Sequence, residues 1–77
     1  MNKKILIIDD DTDLCILLGR YLSRKGYDTD MAHTGSKGIA KFGEQKFDAV
    51  ICDYRLGDMD GKQVMAALKA KDPAINY

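Results

Sequence analysis

The sequence predicts an α/β protein in which parallel strands form one sheet with helices packed on both faces. Three observations carry that expectation. Residues 5–8 (Ile, Leu, Ile, Ile) and 49–52 (Ala, Val, Ile, Cys) are apolar runs with no polar alternation, the pattern of strands buried on both sides. Segments of helical period alternate with them along the chain. The connections are short, and a parallel crossover needs an intervening helix, so the alternation implies a parallel sheet.

The elements follow in order. Residues 5–8 form strand one. Asp11 or Thr12 can cap a helix whose Leu14, Leu17, Leu18, Tyr21 and Leu22 fall on one stripe, expected to face the core. Arg24 and Lys25 suit the C-terminal end of its dipole, and Gly26 its termination. Tyr27, Thr29 and Met31 alternate with Asp28 and Asp30, the period of a half-exposed strand near a sheet edge. Thr34 can cap a second helix bearing Ile39, Ala40 and Phe42, which Gly35, Gly38 and Gly43 would weaken by up to about 1 kcal/mol each in its interior. Residues 49–52 form strand three, ending at Asp53. After a loop rich in Gly and Asp, Val64, Met65, Ala67 and Leu68 mark a third helix to about Lys71, stopped by Asp72-Pro73. Residues 74–77 open a fourth strand.

Composition narrows the function. The 77 residues allow one small domain, and 45% hydrophobic with 31% charged residues is the balance of a folded chain. A formal net charge of zero supplies no cationic field for nucleic acid or an anionic membrane, so neither is an expected partner of this segment. The apolar runs are too short to span a bilayer or to serve as a signal-peptide core, which predicts a cytoplasmic protein. Cys15 and Cys52 form no paired motif and sit in apolar surroundings, so both are expected in the core.

Carboxylates cluster where the strands end. Asp9, Asp10, Asp11 and Asp13 follow strand one and Asp53 follows strand three, which brings distant acidic residues to one edge of the sheet. Helix capping can account for Asp11 and Asp13. It does not account for Asp9, Asp10 and Asp53, which continue apolar strands toward the same edge. Clustered carboxylates repel one another, and an oxygen-only donor set favours a hard cation that keeps some of its waters, so the pattern points to a metal or phosphate site with magnesium the fitting ion.

Residues 7–11 (Ile-Ile-Asp-Asp-Asp), 49–56 (Ala-Val-Ile-Cys-Asp-Tyr-Arg-Leu) and 58–61 (Asp-Met-Asp-Gly) resemble the receiver domains of two-component response regulators, in order and spacing along the whole chain. The resemblance implies a flavodoxin-like, doubly wound sheet, incomplete at three β-α units plus the start of strand four, with residues 1–77 a receiver domain truncated before that strand ends. It implies Asp53 as phosphoacceptor, Asp10 as a direct Mg²⁺ ligand, Asp9 as a ligand through water and the Arg55 backbone carbonyl as a third protein ligand. Gly61 is similar to the family glycine that turns the chain into the third helix, where φ > 0 is tolerated. Gly57 stands where receivers commonly carry proline, leaving the loop less rigid. The rule that ligands of open α/β sheets sit beyond the carboxyl ends of the strands agrees, although it was drawn partly from chemotaxis receivers themselves.

The same resemblance implies a sensor histidine kinase as phosphodonor, and an output domain, with a transcriptional one suggested, in a longer chain. It does not imply a turnover enzyme. An aspartyl-phosphate phosphohydrolase is the rival, but its D-x-D-x-[TV] motif would need Thr or Val where Asp13 stands. A receiver-shaped interaction fragment without chemistry is the other, because the Ser/Thr and Lys that receivers place after strands four and five lie beyond Tyr77. His33, the lone histidine, reads as a surface or packing residue. If the chain ends at Tyr77, the apolar sides of strands one and three and of the first helix should be uncovered, and a homo-oligomer is expected.

Overall fold

Three strands, β1 (Lys4–Ile8), β2 (Asp28–Ala32) and β3 (Ala49–Cys52), alternate with three helices, α1 (Thr12–Arg24), α2 (Gly35–Glu44) and α3 (Gly61–Lys71), in the computed structural model, which describes residues 2–76. The sheet runs β2-β1-β3 with both pairings parallel. The chain steps from β1 to one side and then crosses to the other, so strand order reverses at β1. The expected opening of strand four is present as a parallel bridge from Asn76 to Ala49, with the Val50 amide donating to the Asn76 carbonyl at 2.8 Å. Tyr77, the last residue of that expectation, lies outside the described residues.

The unbroken apolarity of β1 has a direct consequence in packing. Ile5 and Ile7 point to one face, where they meet Cys15, Leu18 and Leu22 of α1. Leu6 and Ile8 point to the other, in a cluster with Phe42, Phe47, Val50, Val64, Leu68 and Ile75. Removing each such side chain from water contributes about 1.5–3 kcal/mol. The helices therefore cover both faces, as a doubly wound sheet requires.

Several expectations need correction. Among the α1 residues expected to form the core stripe, Leu18 and Leu22 pack inward, but Leu14 is exposed, and Leu17 and Tyr21 are 65% and 57% exposed. The buried face runs instead through Cys15 and Gly19, where a Cβ would lie 2.7 Å from the Met31 Cε, so glycine lets the helix close on β2. Strand one is not uncovered, because β2 and β3 flank it and Leu6, Ile7 and Ile8 are fully buried. Exposed large apolar side chains lie on α1, at Ile51 of β3, and at Tyr27 and Tyr54. Cys15 is buried as expected, whereas Cys52 at the end of β3 is only half-buried.

The helix ends follow their capping residues. The Asp11 carboxylate accepts the Leu14 amide at 3.0 Å, which settles the choice between Asp11 and Thr12. Gly26, at φ +91°, ends α1 while the Gly26 and Tyr27 amides donate to the Ser23 and Leu22 carbonyls, the paired bonds of a Schellman motif. Thr34 caps α2 through the Lys37 amide at 3.1 Å. Two of the α2 glycines are placed for contact: a Cβ on Gly38 would strike Ile8 and one on Gly35 would strike Met59, so their helix-weakening tendency is offset by close packing on β1 and on the loop before α3. On the β2 edge, Asp30 is paired with Lys41 at 2.7 Å. Burial is the largest influence on the Asp30 carboxyl and pushes its pKa up, but Lys41, the Met31 amide and Gln45 together bring it below the ordinary carboxylate value.

Candidate functional site: an acidic centre at the strand ends

Register places the site. Ile8 lies opposite Cys52 in the β1–β3 ladder, so Asp9 and Asp53, the next residue of each strand, leave the sheet side by side. Pairing extends just past the strands: the Asp53 amide donates to the Ile8 carbonyl at 2.9 Å and the Asp9 amide to the Ala32 carbonyl at 3.0 Å. Asp9, Asp10 and Asp53 each bring a carboxylate oxygen within 4.8 Å of the others. Asp11 and Asp13, by contrast, are spent on the first turn of α1, as capping alone would have it.

The surroundings hold Asp9 in place. The Asp9 Oδ1 accepts the Asp11 amide at 3.0 Å. The Asp9 carbonyl accepts from His33 Nδ1 at 3.0 Å and from the Cys15 thiol at 3.5 Å, so exposed His33 acts as a backbone brace. Burial, followed by the Asp53 and Asp9 charges, pushes the Cys52 thiol up to about 11, and burial and the same acidic neighbourhood raise Cys15. Both thiols are thereby kept protonated and inert. Tyr54 is 53% exposed and does not close over the site.

Arg55 lies two residues beyond Asp53, on a loop closed by an antiparallel bridge to Asp60 and by the Leu56 amide donating to the Met59 carbonyl at 3.1 Å. Asp60 caps α3 and forms a capping box with Gln63. Gly61 departs from expectation, since among the described residues only Gly26 has a positive φ. Its requirement is steric. A Cβ there would lie 3.0 Å from the Tyr54 Cα and 3.1 Å from the Asp53 carbonyl oxygen, and its amide donates to the Tyr54 carbonyl at 2.6 Å. Gly61 therefore lets α3 start directly against the Asp53–Tyr54 backbone.

Asp58 entered the sequence reading only as the first residue of the 58–61 motif, with no role assigned to it. Its carboxylate accepts the Gly35 and Ser36 amides at 2.8 Å each and the Ser36 hydroxyl at 2.6 Å. The Ser36 hydroxyl and amide, with the Gly35 amide, hold the Asp58 carboxyl down to about 2. A faint signal was available, because the first turn of α2 carries no acidic residue of its own.

The donor set suits a hard cation. Among the described residues, no lysine or arginine pairs with Asp9, Asp10 or Asp53. Two carboxylates about 4 Å apart repel by about 1 kcal/mol in bulk water and by about 4 kcal/mol at an effective dielectric near 20. An oxygen-only cluster open to solvent on one side offers a small divalent ion a few protein ligands and room for its waters.

Fold and site together define a flavodoxin-like domain with an acidic centre where strand order reverses. A profile of the response regulator receiver domain matches residues 5–77, and the chain belongs to that family. It is 39% identical over 74 residues to the transcriptional regulatory protein ZraR of Escherichia coli K12, covering 96% of this chain and 17% of ZraR. The chain thus spans about a sixth of the length of such curated relatives. Among solved structures it superposes on a CheY-like receiver domain protein from Methanospirillum hungatei JF-1 with a TM-score of 0.95, at 31% identity over 97% of this chain and 60% of that one. It also resembles TrrA of Thermotoga maritima, solved in complex with Mg²⁺-BeF, with a TM-score of 0.90, at 30% identity over 95% of this chain and 64% of that one. TrrA has also been solved in complex with the histidine kinase ThkA. Among the described residues, no helix is long and apolar enough to cross a membrane.

Proposed function

We propose that this receiver domain accepts a phosphoryl group on Asp53 in a reaction that depends on Mg²⁺, the ion being held by Asp10, Asp53 and the Arg55 carbonyl directly and by Asp9 through water. The observation that carries the reading is the convergence of Asp9, Asp10 and Asp53 within 4.8 Å at the level where β1 and β3 end. Bound there, Mg²⁺ would neutralise the phosphoryl oxygens as charge builds on them.

The chain's own residues supply position. The hydrogen bond that the Asp53 amide donates to the Ile8 carbonyl and the close seat of Gly61 fix the backbone from which the Asp53 carboxylate attacks phosphorus in line. One bond forms from the Asp53 oxygen to phosphorus as the bond from phosphorus to the donor breaks, and the leaving group departs on the opposite side. The donor is a phosphohistidine of a sensor histidine kinase, a reading supported by the complex of TrrA with ThkA. The acylphosphate then regulates an output carried elsewhere in a longer chain, and the name of ZraR supports a transcriptional one. The reaction modifies the domain itself, so the chain is not a turnover enzyme, and its site of action is the cytoplasm.

The test uses acetyl phosphate with and without Mg²⁺. Intact mass should rise by one phosphoryl group only when Mg²⁺ is present, and Asp10→Asn should weaken both Mg²⁺ binding and labelling. Equal Mg²⁺ affinity in the wild type and Asp10→Asn would remove Asp10 from the site.

A further inference from the structure

The loop between β3 and α3 is well held at its ends and bare at its tip. Asp53 is bonded to Ile8, Arg55 bridges to Asp60, and Gly61 is bonded to Tyr54. At the tip, Gly57 is exposed, and a Cβ built there would meet nothing within 4 Å. Glycine gives such a segment the largest conformational freedom to lose when a ligand orders it.

Asp58 spans from this tip to another element. Its two oxygens take the amides of Gly35 and Ser36, residues 23 and 22 positions earlier, and one of them also takes the Ser36 hydroxyl. Thr34 takes the Lys37 amide, so the donors left over by the first turn of α2 are divided between its own cap and the distant Asp58. Met59 docks beside it, filling the space a Gly35 side chain would need. Asp60 caps α3 and Thr34 caps α2 through the Lys37 amide, while Asp58 satisfies the two amides that precede it in the first turn of α2. The same bonds give the loop a fixed position against α2.

We propose that Asp58 is a positioning residue for the acidic centre, clamping the tip of the β3–α3 loop to the N-terminus of α2 so that the Arg55 carbonyl stands ready for Mg²⁺. This rests on the reading of the centre as a Mg²⁺ site. The three aspartates sit at ends of sheet strands and are ordered without the clamp, while Arg55 is the one proposed ligand carried by the loop. Releasing the clamp leaves the carboxylates in place and leaves the Arg55 segment tied to the Asp60 bridge and the Leu56–Met59 bond without an anchor on α2, so ion binding bears more of the cost of ordering the loop. Hydrogen-bonded groups that orient metal ligands are commonly worth 10- to 100-fold in affinity. Here one ligand of the set is affected, so the loss is about 5- to 10-fold.

Mg²⁺ alone, titrated into the ¹⁵N-labelled full chain and followed by amide shifts, reads this without any phosphodonor. Asp58→Ala should weaken Mg²⁺ binding about 5- to 10-fold, and Ser36→Ala, which removes one bond of the clamp, about 2-fold. Asp58→Asn, whose single amide oxygen cannot serve both backbone donors as the carboxylate does, should fall between them and carries the comparison if Asp58→Ala does not fold. Thr34→Ala weakens α2 without touching the loop and should bind Mg²⁺ within about 2-fold of the wild type. The inference is overturned if folded Asp58 variants bind like the wild type, or if Thr34→Ala loses as much as they do. No Mg²⁺ binding by the unaltered chain would instead remove the reading of the site, and this inference with it.

Discussion

Replacing Gly61 by alanine adds one methyl group at the tightest backbone contact of the site. The new Cβ would lie 3.0 Å from the Tyr54 Cα and 3.1 Å from the Asp53 carbonyl oxygen, both main-chain atoms that cannot rotate away. Relief requires α3 and the Asp53–Tyr54 segment to part by a few tenths of an ångström, which also stretches the 2.6 Å bond from the Gly61 amide to the Tyr54 carbonyl. Overpacking of this kind costs about 1–3 kcal/mol. For a domain of this size each kcal/mol lowers Tm by roughly 4–8 °C, so Gly61→Ala should melt roughly 4 to 24 °C lower. The same displacement moves Asp53, and misplacement of about 1 Å can cost a factor of 100 in rate, so labelling by acetyl phosphate should slow severalfold even where the protein remains folded. Gly57→Ala is the internal control. Open space surrounds position 57 and its φ is not positive, so alanine should be neutral or raise stability by up to about 1 kcal/mol. Circular-dichroism melts and intact-mass labelling rates decide it, and a Gly61→Ala protein matching the wild type in both would refute the reasoning.

Acid should reveal the Asp58 clamp. Its folded pKa, about 2, lies below the ordinary 3.8, so its contribution to stability is complete above pH 3.8 and disappears as pH falls toward 2. Urea midpoints measured across that window should fall less steeply in Asp58→Asn, and parallel curves would discard the assignment. Alkylation by iodoacetamide at pH 8 should be slow at Cys52, since a thiol with a pKa of about 11 is almost wholly protonated there, and a rate like that of free cysteine would contradict the surroundings described. The exposed Leu17 and Tyr21 of α1 and Ile51 of β3 should drive the 77-residue species to associate, and Leu17→Asp should reduce it; light scattering showing a monomer at high concentration would count against this.

The acidic centre was legible because two simple signals coincide in it. Apolar runs locate β1 and β3, and in a parallel pair the residues that follow the strands emerge at one edge, so Asp9, Asp10 and Asp53 could be grouped without coordinates. The inward face of α1 was less legible. Its apolar residues occupy two adjoining stripes, and periodicity cannot choose between them when the deciding residue is Gly19, which has no hydrophobic side chain to count. Cys52 was misjudged because, among the described residues, the segment after α3 pairs with β3 at Ala49, at the opposite end of the strand from Cys52. Gly61 was marked correctly as a necessary glycine but for the wrong reason, since a close backbone approach and a left-handed conformation leave the same residue in the sequence. Asp58 was missed because its partners lie 22 and 23 residues away, and an aspartate in a loop reads as an ordinary turn residue.

Locating the phosphoryl group tests the central claim most directly. The chain, labelled with acetyl phosphate and Mg²⁺, is treated with borohydride to trap the acylphosphate and then digested for peptide mapping. The account predicts modification at Asp53 alone, and none in Asp53→Asn. Modification at Asp9, Asp10, Asp11 or Asp60, or undiminished labelling of Asp53→Asn, would contradict it.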